Sequence, residues 1–358
     1  MTLAFYAPMK PPDHPVPSGD RSMARALIQA LETAGHTVSL ASRLRSRDGT
    51  GNAAQQRDFI AKAHAALPGL ISRGRVEGWR AWVTYHNYYK APDLIGASVA
   101  QALGIPYLLI EATRAAKRLT GPWAQYASAA EEACDLADVI FYLTSRDEAA
   151  LRRDAPPAQH LLYLPPFLNC NTLPAETFAP DGPILSVGMM RRGDKLASYR
   201  IIAETLALLP KDTWRLEIAG DGPAEGEVRA LMAPFGDNVK FLGNLSAPDL
   251  NAAYARAAMM FWPGVNEAFG LVYLEAQAAG LPIVAQNRPG VREVLSPGPY
   301  PSVEVGPASL AKELSRLLGD PEARRTKGRA AREYVAENHL LPAAVTTLRR
   351  GLVSVGVH

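Results

Sequence analysis

The chain has 358 residues, enough for two domains of ordinary size with a core in each. Hydrophobic residues make up 48% and charged residues 20%, which excludes a disordered or fibrous chain. The formal net charge is only +3, which gives no argument for nucleic acid but leaves an anionic membrane surface or acceptor open.

Short apolar runs alternate with helical periods from the start. A buried strand over 3–7 precedes a Pro-rich loop over 8–17, and Ser18-Gly19-Asp20 opens a helix to about residue 34 with Met23, Leu27, Ile28 and Leu31 at helical spacing. Gly35-His36 ends it before a strand over 37–41. This strand–helix–strand unit implies a parallel pair with a right-handed crossover. Residues 43–56 are polar, Arg-rich and expected to be mobile. A helix over 57–73 leads to a strand over 81–85, which delivers His86-Asn87-Tyr88-Tyr89 to a strand's C-terminal end, where open α/β sheets put their ligands. A helix over 93–103, a strand over 107–110 ending at Glu111, a helix over 122–136 and strands over 139–143 and 161–164 complete this half. Pro165-Pro166-Phe167-Leu168-Asn169 has the stiffness of a domain linker.

The pattern then restarts. Strands are expected over 184–188, 214–219, 239–242, 259–262 and 283–285. Helices are expected over 195–209, 225–232, 248–256 and most of 309–337, with a turn-helix over 289–293. A last helix over 342–352 has no strand after it and is expected to pack back on the first domain. With about six strands in each half, the expected fold class is α/β, two doubly wound Rossmann-like domains facing across a cleft, divided as 1–166 and 167–341. Cys134 and Cys170 have no metal-ligand spacing, and no apolar stretch reaches 18 residues. A soluble, cytoplasmic protein is the expectation.

Chemistry concentrates in two stretches of the second half. Glu267 and Glu275 are eight residues apart around a helix start, with Gly270 for the tight turn and Gly280 and Pro282 as stop signals. Unpaired N–H groups at such a start attract anions, and a carboxylate beside them accepts bonds from sugar hydroxyls. The plainer alternative is that both are ordinary helix charges. The second stretch is Gly188-Met189-Met190-Arg191-Arg192-Gly193-Asp194-Lys195, whose cations leave a strand end and enter a helix, suiting a diphosphate. Gly220-Asp221-Gly222-Pro223 is a poor dinucleotide fingerprint, since Pro223 lacks an N–H, and reads as a turn. In the first half, Gly19 allows close backbone approach and Arg21 could face an anion, although Ser18 or Asp20 could simply cap the helix. His86 and Glu111 either line the cleft or serve the core.

These residues resemble a known family. Glu267 and Glu275 with Phe269-Gly270, then Gly280-Leu281-Pro282, look like the signature of retaining glycosyltransferases of family 4 (glycosyl transferases group 1), which have the GT-B fold. Gly188 with Arg191 and Lys195 is similar to that family's basic pair, and Pro289-Gly290-Val291-Arg292-Glu293 to its closing loop. The resemblance implies transfer of a hexosyl group from a nucleotide-diphosphate sugar, such as a UDP- or GDP-hexose, to a glycan, lipid or small-molecule acceptor. No cofactor and no metal are implied, and contact with the inner membrane surface is left open. Arg191 or Arg192 with Lys195 would neutralise the leaving diphosphate, and Glu267 would hold donor hydroxyls. The backbone of Phe269, Gly270 and Leu271 would meet sugar and phosphate, Glu275 the ribose, and Leu242-Gly243 the nucleobase. His86 joins Glu267, Lys195 and Arg191 as the catalytic set, with Gly19, Asp20, Arg21, His86, Asn87 and Glu111 on the acceptor side. Two departures stand out: the basic pair lies one residue further from the strand glycine than usual, and Glu111 stands where the family commonly presents a histidine. A nucleotide-sugar epimerase or phosphorylase on the same scaffold and a non-catalytic nucleotide-sugar binding protein are the competing readings.

Overall fold

The computed structural model describes residues 1–16, 18–177 and 179–358, so that Pro17, the last residue of the Pro-rich loop, lies outside the described residues. The chain divides into two compact units: unit 1 is Met1–Pro165 with Leu341–His358, and unit 2 is Pro166–Leu340.

Unit 1 contains β1 (Thr2–Tyr6), α1 (Gly19–Thr33), β2 (Thr37–Ser42), α2 (Ala53–Glu77), β3 (Trp79–Asn87), α3 (Gly96–Leu103), β4 (Tyr107–Ala112), α4 (Ala124–Leu136), β5 (Val139–Tyr142), α5 (Ser145–Arg153) and β6 (His160–Tyr163). Its six strands pair in parallel in the order β2-β1-β3-β4-β5-β6. Consecutive residues of β1 and β5 are buried, so both faces of the sheet are covered, as parallel sheets require.

Unit 2 contains β7 (Ile184–Val187), α6 (Asp194–Leu206), β8 (Leu216–Ala219), α7 (Glu225–Met232), β9 (Val239–Gly243), α8 (Ala247–Arg256), β10 (Met259–Phe261), α9 (Leu271–Ala278), β11 (Ile283–Val284), α10 (Pro289–Arg292), α11 (Pro307–Gly319) and α12 (Pro321–Asn338). Its sheet has five parallel strands in the order β11-β10-β7-β8-β9, one at each of the five expected places. The chain then returns to unit 1 as α13 (Leu341–Ser354), which packs on α1 and β6.

Each sheet reverses direction once: between β1 and β3 in unit 1, and between β7 and β10 in unit 2. At such a point the loops after the two neighbouring strands part to opposite faces and leave a crevice beyond the strand ends. These two points position the candidate residues.

The structure departs from the sequence expectations in three places. Residues 43–56 are ordered around Asp48, which is wholly buried and accepts from the N–H groups of Thr50, Gly51 and Asn52 and from Gln56 Nε2. Helix α3 starts at Gly96 because the Asp93 carboxylate caps it, accepting from Ile95 N at 2.9 Å and Gly96 N at 2.7 Å. Helix α5 was not expected, since Leu151 is its only buried residue and no apolar period marks it. No helix among the described residues is long and apolar enough to cross a membrane.

Leu348 of α13 is 1% exposed in the core of unit 1. Leu348→Ala is expected to cost about 2–5 kcal/mol, measured as a lower urea midpoint. An unchanged midpoint would remove α13 from that core.

Candidate active site

In unit 2, β10 is followed by the wholly buried Trp262. Its indole lies against Gly188, where β7 ends; a Cβ on Gly188 would stand 2.6 Å from the ring, so only glycine fits. Tyr199 meets the ring edge-on at 5.1 Å and donates its hydroxyl to Gly188 O at 2.7 Å. Thus fixed, Trp262 Nε1 donates to Glu267 Oε1 at 2.9 Å. Lys195 Nζ, from the first turn of α6, donates to the same oxygen and lies 5.3 Å from the Trp262 ring centroid. The Glu267 side chain is 12% exposed and that of Lys195 31%. Glu267 Oε2 accepts no hydrogen bond among the described residues and is free for a ligand donor.

The loop between β10 and α9 is tied down on both sides. Val265 N donates to Ser198 Oγ at 3.1 Å, and Asn266 Nδ2 to Asp194 Oδ1 at 2.9 Å, both on α6. Gly270, at φ +80°, turns the chain into α9, where no side chain caps the first N–H groups. Phe269 is buried beside it, and Leu271 is the first helical residue. These open N–H groups at a switch point form a ready anion site.

Glu275 lies one turn into α9, where two had been expected. It is half-buried and accepts from Tyr254 OH at 2.9 Å. Burial raises its pKa, with the Tyr254 bond opposing.

The two arginines of the basic loop separate clearly. Arg192 Nε is engaged with Glu227 Oε1 at 2.9 Å, whereas the exposed Arg191 has no ion-pair partner among the described residues. The Gly220–Pro223 turn braces this loop: Met190 N donates to Asp221 O at 2.7 Å, and Ala224 N to Met190 O at 2.9 Å. At the end of β9, Gly243 O accepts from Gly220 N at 2.8 Å, which sets Leu242-Gly243 beside the same turn.

Unit 1 has its own cluster. His86 on β3 and Glu111 on β4 lie between the paired residues Tyr85–Ile110 and Asn87–Ala112, with His86 Nδ1 3.4 Å from Glu111 Oε2. On the other side, His86 Nε2 is 3.7 Å from Asp20 Oδ1 in the first turn of α1. Burial pulls the His86 pKa down, but the charges of Glu111 and Asp20 outweigh it and leave the value raised. Glu111 is raised by burial against the pull of His86. Asp20 is lowered despite burial, through His86 and Lys10. The Tyr85 ring stacks on His86 at 3.9 Å.

Among the described residues only three non-glycines have positive φ: His86 at 72°, Glu111 at 60° and Asn266 at 48°. Each such conformation costs about 1–3 kcal/mol and persists only where the surroundings over-determine it. All three sit in these two clusters.

One acceptor-side expectation needs correction. Asn87 is wholly buried and structural: its Nδ2 donates to Ala130 O at 2.8 Å, and its Oδ1 accepts from Asp93 N at 3.0 Å. Arg21 braces the Pro-rich loop through one nitrogen, donating to His14 O at 2.8 Å and Pro15 O at 3.1 Å. Gly19, by contrast, is open, with no atom within 4 Å of where a Cβ would lie. Sequence reasoning missed Trp262, Asn266, Tyr85 and Tyr254. For Trp262 the usable signal is an indole N–H closing a strand five residues before a carboxylate.

The raised His86 pKa means that its protonated form stabilises the fold. That contribution is complete below the ordinary imidazole value of about 6.5 and is lost as the pH rises through the raised folded value. An NMR titration is expected to place His86 above the ordinary value in the native chain and lower in Glu111→Gln. An unmoved His86 would break the pairing.

Comparison with known proteins bears on both units. Residues 183–320 match the family profile of the glycosyl transferases group 1. An exopolysaccharide phosphotransferase of Streptomyces coelicolor is 35% identical over 210 residues, 55% of this chain and 21% of that protein. The alpha-D-kanosaminyltransferase of Streptomyces kanamyceticus is 28% identical over 273 residues, 69% of this chain and 70% of that protein. For the first four curated relatives, the matched part spans between 21% and 34% of their length. Among solved structures, sucrose-phosphate synthase of Thermosynechococcus elongatus superposes with a TM-score of 0.72 at 20% identity, over 98% of this chain and 97% of the other. Anabaena HepE, in complex with UDP, gives 0.71 at 15% identity, over 99% and 100%. Over residues 183–320, which include the Glu267 cluster, the chain is thus similar to the glycosyl transferases group 1, and its two sheets have the GT-B architecture of these solved structures.

Proposed function

We propose that the chain is a retaining glycosyltransferase that moves a hexosyl group from a nucleotide-diphosphate sugar to a glycan, lipid or small-molecule acceptor. The observation that carries this reading is Glu267, fixed through one oxygen by Lys195 and Trp262 and open at the other, beside the uncapped start of α9. A carboxylate so held suits sugar hydroxyls, and N–H groups with cations at the same point suit a diphosphate. The UDP complex of HepE supports the same ligand class.

In this reading unit 2 takes the donor. Glu267 Oε2 accepts from hydroxyls of the sugar. Arg191, Lys195 and the first N–H groups of α9 take the charge that grows on the diphosphate, in place of a metal ion. Glu275, held by Tyr254, accepts from the ribose, and the Leu242-Gly243 backbone meets the base. As the bond from the sugar's anomeric carbon to the phosphate oxygen breaks, that oxygen takes the proton of the acceptor hydroxyl. The new glycosidic bond then forms on the same face, with the anomeric configuration kept. Unit 1 takes the acceptor at Gly19, Asp20, His86 and Glu111.

Incubation with UDP- and GDP-hexoses and a panel of acceptors is expected to release nucleoside diphosphate and to survive EDTA. Glu267→Gln and Lys195→Ala should each lower turnover by about 10²–10³. Unchanged turnover in both variants would sink the site assignment. An epimerised sugar nucleotide with no transfer, or a melting shift with no turnover, would favour one of the competing readings.

A further inference from the structure

The C-terminal end of the unit 1 sheet carries a second cluster that the proposed reaction does not use. After β3, a tight turn closes with Ala91 N donating to Tyr88 O at 2.9 Å, so Tyr89 and Lys90 occupy its two corner positions. After β4, the chain makes a short 3-10 turn over Ala116–Arg118 and reaches Trp123 just before α4. The two loops meet through four side chains. Tyr89 and Trp123 are edge-to-face at 5.6 Å. Lys90 Nζ lies 5.6 Å from the Tyr89 ring and 5.7 Å from Trp123, and Arg118 Cζ lies 5.0 Å and 5.5 Å from the same two rings.

Two cations therefore share one pair of rings, and neither has a carboxylate partner among the described residues. Each cation is attracted to the rings, whereas two like charges gathered on the same rings oppose each other. Nothing within the cluster balances the positive charge.

The platform is built rather than incidental. Gln56, 1% exposed, donates through Nε2 both to Asp48 Oδ2 at 2.8 Å and to Pro122 O at 3.0 Å, which anchors the Trp123 loop. Asp48 N donates to Lys90 O at 2.8 Å, and Ser46 Oγ to Pro92 O at 2.7 Å, which anchors the Tyr89–Lys90 turn. The wholly buried Asp48 thus ties both halves, through its carboxylate and Gln56 to the Trp123 loop and through its backbone N–H to the Tyr89–Lys90 turn. Such preorganisation lowers the cost of ordering side chains around a ligand.

We propose that Tyr89, Lys90, Arg118 and Trp123 bind a uronate residue of a glycan acceptor, with the sugar face on the aromatic rings and the carboxylate held by the two cations. A neutral sugar would use only the rings, and a bare anion only the cations. An acidic sugar uses both, and the planar guanidinium of Arg118 matches a carboxylate in two-point fashion. This rests on unit 1 being the acceptor side, and it names the class of acceptor.

The test is calorimetry on the whole chain without donor, using a glucuronate-bearing hyaluronan tetrasaccharide, neutral cellotetraose, inorganic phosphate and phosphatidylglycerol vesicles. The acidic tetrasaccharide is expected to bind at least about tenfold more tightly than cellotetraose, the scale of one charge-assisted hydrogen bond. Lys90→Gln and Arg118→Gln, both surface changes, should each weaken it by about that factor and leave the melting shift given by UDP unchanged. Equal affinity for cellotetraose, unaffected variants, phosphate binding as tight as the tetrasaccharide's, or retention on vesicles alone would each overturn the proposal. Absence of a UDP melting shift in the native chain would strike the proposed donor chemistry and leave this result standing.

Discussion

A single carboxylate oxygen holds unit 2's candidate site together. Glu267 Oε1 receives the Lys195 ammonium from α6 and the Trp262 indole N–H from the end of β10. Charge-assisted bonds of this kind are strong and directional, and both donors come from elements flanking the switch point between β7 and β10. Everything around it serves that placement. Gly188 leaves room for the indole, Tyr199 pins Gly188, and α6 grips the loop through Ser198 and Asp194. Removing either donor would free the carboxylate to turn and undo the free geometry of Oε2.

The two switch points use the same architecture for different electrostatics. In unit 2 one cation answers one carboxylate. In unit 1 a single imidazole stands between two carboxylates, with Lys10 near Asp20 as the second cation. Backbone strain marks both places, with His86, Glu111 and Asn266 held at positive φ. Strain of this sort aims a side chain where an unstrained strand end would not, and a strand end alternates its side chains between faces. Lys90 and Arg118, on the loops that leave the same two strands, add two cations with no carboxylate partner among the described residues.

Much of the fold was legible because parallel strands buried on both faces read as continuous apolar runs. The strands around residues 139–143, 184–188 and 259–262 were found within a residue or two. Helix α5 escaped because it buries only Leu151, so its hydrophobic pattern carries no period. The ordering of residues 43–56 escaped for a different reason: the polar side chains there turn inward to backbone N–H groups, and composition cannot show which way a carboxylate faces. The charged residues of the candidate site could be named from sequence, since Glu267, Lys195, Arg191, His86 and Glu111 follow strand ends or open helices. Their partners could not. That Lys195 bonds Glu267, that Arg192 is engaged while Arg191 is free, and that Asn87 faces the core are consequences of which neighbouring element packs alongside.

The return of the chain as α13 has a consequence for how the molecule is made. Unit 1 is discontinuous: residues up to Pro165 form its sheet, but the helix that covers α1 and β6 is synthesised only after all of unit 2. Domains form as units while the chain emerges. Unit 2 is continuous in sequence, whereas the first-made half waits with the apolar surface beneath Leu348 and Leu352 uncovered. The last helix thus acts as a timing device, so that unit 1 reaches its finished form only once unit 2 has been made.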